Sequence, residues 1–207
     1  MNRVELKEWA KQKISGNIGN IFIGIGIIFA ISLLFSFGVG IVQIIFGETS
    51  FITFIVSLVV EFLLVPLQIG LNGYMMGFVQ NDTFNRDAIF APYDDTFKII
   101  GASILMSFVI MVGFIFFIIP GIYLAFSYAL VPYLLVTNKD LSITETLELS
   151  RKMMNGHKLD LFVLGISFLG WMLLVPCTFG IILIWLYPYM MTATTKFFVD
   201  IIDSYNE

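Results

Sequence analysis

Not one charged residue interrupts Ile18–Phe46. An α-helix rises 1.5 Å per residue and the hydrocarbon of a bilayer is about 30 Å thick, so about 20 apolar residues suffice to cross it. Three further runs match that requirement. Phe51–Val79 is broken only by Glu61, and Phe97–Val136 carries a single charge, Lys98, at its edge. Leu159–Phe198 repeats the arrangement of Phe97–Val136. Each of these last two is long enough for two spans, with Pro120-Gly121 and Pro176 to Gly180 at their centres. Proline interrupts the helical hydrogen-bond ladder and glycine permits a tight reversal.

The pattern predicts an all-α polytopic membrane protein. A single domain, 1–207, is expected to hold six transmembrane helices as three helical hairpins with interfacial amphipathic helices. The hairpins fall at 18–80, 97–136 and 157–200. Only 13% of residues are charged, about half the share of a soluble domain. A water-facing surface on 207 residues needs more charge than that.

The basic residues give an orientation. All eleven lie in the amino-terminal segment, in the 80–98 and 137–158 links, or at Lys196. The turns at 47–50, 119–121 and 176–180 contain none. Lysine and arginine are retained on the cytoplasmic side, so both termini are expected there. Residues 1–17 are too polar, and the run after them too long, for a cleavable signal peptide.

Two polar segments read as helices beside the spans. Ser142 and Glu145 fit a capping box opening an amphipathic helix within 141–156, with Gly156 as its stop. The amino-terminal segment 1–17 contains a similar helix at Val4–Ile14. Either an interfacial position or packing on the bundle accounts for them. A faint repeat runs through the spans. Pro120 and Pro132-Tyr133 stand twelve residues apart, proline to proline, as do Pro176 and Pro188-Tyr189. Gly73-Tyr74-Met75-Met76 echoes Pro188-Tyr189-Met190-Met191, and the segment ending in Gly16 echoes the one ending in Gly156.

Several function classes are disfavoured. A net charge of −4 with no clustered basic footprint argues against nucleic acid. One cysteine and one histidine make no thiolate–imidazole metal cage. No nucleophile–base pair, P-loop or dinucleotide fingerprint is present, so neither an enzyme nor a cofactor is expected. Trp185, Tyr187 and Tyr189 suit an interfacial belt, whereas Trp171 reads as core. His157 and Cys177 read as a surface residue and an incidental turn residue.

Glu61 is the one ionisable group deep in a span. Ten residues from Phe51 place it about 15 Å in, near the midplane. Intramembrane carboxylates face a bundle interior, a wet cavity or a partner. Gln68 and Asn72, seven and eleven residues further on, return to the same helix face and extend a polar stripe. Pro66 frees a carbonyl nearby, and Gly70, Gly73 and Gly77 leave room for a neighbouring helix. The stripe is either a route or binding groove, or a hydrogen-bonded packing seam. The expected mode of action is binding a partner: another membrane protein, lipid, a membrane-active peptide or a second copy. The alternative is a small transporter or channel component using Glu61.

The second half carries an ordered set of short motifs. They are Ile119-Pro120-Gly121-Ile122, Ser127-Tyr128-Ala129, Ser150 to Lys158 with Gly156, Phe168-Leu-Gly-Trp171, Thr178-Phe-Gly180 and Pro188-Tyr189. In this order, best over residues 115–200, they resemble the bacterial membrane-protein family catalogued as domain of unknown function 975. The resemblance implies a bacterial plasma-membrane location, no established activity and no catalytic residues. Two departures stand out: no lysine closely follows Ile119-Pro120-Gly121, and Phe197-Phe198 stands where Phe-Tyr is expected.

Overall fold

The computed structural model describes residues 3–206, and these are all-helical with no strand. The long apolar runs become α2 (Ile18–Phe46), α3 (Phe51–Asn81) and α5 (Thr96–Phe116). Before them lies α1 (Arg3–Ile14), and between α3 and α5 the short α4 (Asp87–Phe90) continues into a 3-10 turn, Ala91–Asp95. The rest of the chain forms α6 (Ile118–Ser127), α7 (Val131–Thr137), α8 (Ile143–Met153), α9 (Lys158–Met172), α10 (Leu174–Cys177) and α11 (Leu183–Asn206).

Among the described residues five segments are long and apolar enough to cross a membrane: Ile18–Phe46, Phe51–Asn81, Asp87–Phe116, Ile118–Thr137 and Lys158–Cys177. The sixth expected span falls on α11. It has the length, 24 residues, but spreads Lys196, Asp200 and three threonines along it.

Burial divides the molecule into two layers. In α2 only Ile21 and Gly24, in the first two turns, are buried. In α3 nothing between Thr53 and Leu64 is buried, while Tyr74, Met75, Met76 and Phe78 all are. These residues join Leu6, Ile14, Leu134, Met154, Phe197 and Ile202 in one core at the end of the molecule where α1, α8 and the end of α11 gather. A second cluster beside it joins Ile99 and Ala102 of α5 to Leu135 and Leu147. Away from this hub the helices present apolar side chains outward, among them Ile44 at 86% exposure and Phe179 at 96%. Only a hydrocarbon solvent accommodates such a surface. With 29 and 31 residues, α2 and α3 are about 43 and 46 Å long, longer than the hydrocarbon is thick. Their surplus is built into the hub.

The turns differ in part from the sequence expectation. Phe117, in extended conformation (φ −163°, ψ 155°), joins α5 to α6. Pro120 is the third residue of α6, where a missing N–H loses nothing because the first turn has no internal acceptor. Gly121 does not form the reversal. It lets α6 lie on α5, and a Cβ there would stand 2.4 Å from the Phe114 ring. The other reversal lies at Phe179 and Gly180, both left-handed, with the Gly180 N–H donating to the Val175 carbonyl at 2.9 Å. The two proline frames fold unlike each other. Pro132 is the second residue of α7, after a break at 128–130, whereas Pro188 lies inside the unbroken α11.

Both polar helices are docked on the bundle. The capping box is formed: Ser142 Oγ accepts from the Glu145 N–H, and the Glu145 carboxylate accepts from the Ser142 N–H at 2.8 Å. Ser150 Oγ donates to the Ser127 carbonyl at 2.9 Å and pins α8 against the end of α6. Leu6, Ala10 and Ile14 bury one face of α1 against α11. Gly16 and Gly156, after α1 and α8, both take left-handed φ, at 82° and 88°. Trp171 is not core. It is 43% exposed, with its ring 5.9 Å from that of Trp185 on the outer surface.

Candidate functional site

Why the polar stripe faces outward follows from what packs on α3. The link after α3 folds back along it instead of leaving it. Gly70 receives this segment so closely that a Cβ there would stand 1.9 Å from the Ile89 carbonyl oxygen. At Gly73 a Cβ would meet Val136 of α7 at 2.8 Å, and at Gly77 the Thr83 carbonyl at 3.3 Å. The glycines thus admit a short returning segment and α7, not a neighbouring long helix. Tyr93 ends the contact by donating its hydroxyl to the Leu63 carbonyl at 2.7 Å. That carbonyl adjoins the ladder gap which Pro66 opens. On the adjoining side α2 packs through Gly24, held by the Tyr74 hydroxyl on the Asn20 carbonyl at 2.6 Å.

With those faces occupied, the remaining face of α3 is left outside. Glu61 and Gln68 are exposed there and Asn72 is half-buried. Among the described residues the Glu61 carboxylate has no ion pair and no hydrogen-bond partner. Asn72 alone meets other elements. It lines an open groove of about 240 Å³ with Tyr133, Tyr187, Met190 and Thr194. The stripe is therefore neither a packing seam inside the chain nor the lining of an internal channel. It runs from an outward carboxylate to a groove between α3, α7 and α11.

Of the structural motif residues, Tyr133 lines this groove and the other tyrosines are core. Tyr133 is buried, its hydroxyl 3.3 Å from Thr195 Oγ1 and its ring 4.7 Å from Phe198. Tyr189 is buried between Phe168 and Trp185, 5.4 and 4.9 Å away. Tyr128 is buried in the second cluster. Tyr74, Tyr133 and Tyr189, aligned by the sequence echoes, thus all anchor side chains in buried positions.

Two charged places escape the sequence reading. The first is a cavity of about 230 Å³ where Arg3, His157, Asp160 and Asp200 meet between α1, α9 and α11. His157 Nδ1 lies 3.9 Å from Asp160, and Lys196 pairs with Asp200. The second is a basic notch between α6, α8 and α9. The first combines residues from the two ends of the chain and the second joins Tyr123 to the 148–158 segment, so the docking of α1 and of α8 completes them. Lys7 is also drawn into the bundle, its ammonium donating to the Ser167 carbonyl and hydroxyl at 3.3 and 3.2 Å.

Compared with known families, residues 99–204, from α5 to α11, match the model described as Protein of unknown function (DUF975). This is the family to which the ordered motifs of the second half point. No curated protein and no solved structure matches the chain.

Proposed function

The chain belongs to the DUF975 family, and from that premise we propose that it is a non-enzymatic, multi-pass plasma-membrane protein that binds another membrane protein through α3. The observation that carries this reading is the outward position of Glu61 and Gln68 on an otherwise apolar helix. A polar group facing lipid is costly, and a partner helix offering a hydrogen bond removes the cost. In a bilayer such a stripe is the counterpart of an exposed apolar patch in water.

In this reading α11 completes six spans, paired with α9 as α2 is with α3 and α5 with α6. The hub and both termini lie in the cytoplasm, because the basic residues gather there. A transport route along the stripe would need a second molecule to enclose it, since Glu61 and Gln68 lie outside the bundle.

The test is photo-cross-linking in native membranes, from a benzophenone maleimide attached at Gln68→Cys and, as a lipid-facing control, at Leu34→Cys, both with Cys177→Ser. The reading expects a discrete adduct from position 68 and none from 34. Its mass separates a second copy from a different protein. Unmodified monomer at both positions would defeat the reading.

A further inference from the structure

We propose that the notch between α6, α8 and α9 binds the phosphate of an anionic phospholipid, held by Arg151, Lys152 and Lys158. The notch encloses about 320 Å³ and is lined by Tyr123, Glu148, Arg151, Lys152, Asn155 and Lys158. Three cations thus face one carboxylate. Glu148 pairs with Lys152 at 3.1 Å across one helical turn. Among the described residues neither Arg151 nor Lys158 has a carboxylate partner. Lys158 instead sits over the Tyr123 ring, 3.5 Å from its centroid, which fixes its ammonium at the mouth of the notch. A guanidinium fork, two ammonium groups and the Asn155 amide make a donor set suited to phosphate oxygens.

The surroundings select a lipid over a free anion. The two helices that flank the notch carry exposed apolar side chains next to it: Ile119 and Ile122 on α6, Leu159 and Phe162 on α9. Phe126 and Phe162 meet edge-on at 5.9 Å and close the wall between the helices. A headgroup in the notch therefore has a surface for its acyl chains directly beside it. Free phosphate has no use for that wall. The hydrogen bond from Ser150 to Ser127 ties α8, which carries Arg151 and Lys152, to the end of α6. Basic pockets between membrane helices on the cytoplasmic side have this character. The inference needs the chain to lie in a membrane but is independent of any partner on α3.

Native mass spectrometry of the full chain in mild detergent tests it, with phosphatidylglycerol against phosphatidylcholine of the same acyl chains. Wild type should retain the anionic lipid preferentially. Each cation removed should weaken its binding about five-fold, so Arg151→Gln with Lys158→Gln should weaken it about 25-fold. Glu148→Gln frees Lys152 and should strengthen binding, a gain that misfolding does not produce. Equal retention of both lipids by wild type, or no gain in Glu148→Gln, would overturn the proposal. So would inorganic phosphate displacing the lipid at equal concentration, because the site would then serve a free anion. Cross-linking from position 68 should be unaltered in the Arg151 and Lys158 variant, which separates the two readings.

Discussion

Alanine at position 70 puts a methyl carbon 1.9 Å from the Ile89 carbonyl oxygen, 2.6 Å from its carbon and 2.8 Å from its Cα. A comfortable carbon–oxygen approach is about 3.3 Å, so the returning segment must retreat by about 1.4 Å. All three obstructing atoms are backbone, and no side chain can rotate to relieve the clash. Retreat loosens the fully buried Ile89 side chain and the hydrogen bond from Tyr93 to Leu63. Overpacking costs about 1–3 kcal/mol, and a lost hydrogen bond about 1 kcal/mol. These costs sum to about 2–4 kcal/mol, and a helix-propensity gain of about 1 kcal/mol leaves Gly70→Ala destabilised by about 1–3 kcal/mol. Gly165→Ala is the control, a helical glycine with nothing within 4 Å of its added Cβ. Unfolding in detergent, followed by circular dichroism, should show Gly70→Ala clearly less stable and Gly165→Ala equal to wild type or better. Tyr93→Phe should cost about 1 kcal/mol alone and less in the Gly70→Ala background, because both act on one segment. Equal stability of the two alanine variants would refute the account of how α3 is packed.

Other expectations are simpler to check. The Ser142 hydroxyl and N–H bonds hold the Glu145 carboxyl below its ordinary pKa. A depressed folded-state pKa gives α8 stability that is present above the unfolded-state value and lost as pH falls through the folded one. Amide protection at the start of α8, taken relative to the intrinsic exchange rate at each pH, should therefore fall on acidification below the ordinary carboxylate range, and Ser142→Ala should blunt that dependence. Gly156→Ala should cost about 1–2 kcal/mol, because its φ of 88° is left-handed, readable in the same unfolding assay. Tyr133→Phe should cost about 1 kcal/mol through the lost contact with Thr195. Glu61→Gln should leave stability unchanged, since the carboxylate has no internal partner, and should alter only cross-linking from position 68.

Spans were the most legible part of this chain, because a charge-free run longer than the bilayer is thick leaves few alternatives. Turn positions were less so. Pro120-Gly121 has the composition of a turn, yet a proline in the first turn of a helix costs nothing, and the reversal falls on Phe117. Depth along α3 could be counted, but the buried face could not. In an apolar helix side-chain type does not distinguish packed from lipid-facing positions. What covers α3 is the 87–95 segment, whose Asp87, Asp94 and Asp95 read as an ordinary polar link. Depth alone puts Trp171 in the core, yet it lies outside for the same reason. In the sequence the basic residues of the notch signal topology alone. Its three cations are near neighbours in the chain, but the Tyr123 wall that turns them into a notch arrives only when Ser150 docks α8 on the end of α6, a long-range contact that spacing does not reveal.

A partner on the outer face of α3 is tested most directly by lipid access. Fluorescent labels at Gln68→Cys and Leu34→Cys, in the Cys177→Ser background, are exposed to a quencher dissolved in the bilayer. In native membranes position 34 should be quenched and position 68 shielded. After purification and reconstitution at high lipid dilution both should be quenched alike. Full quenching at position 68 in native membranes, equal to that at 34, would contradict the account.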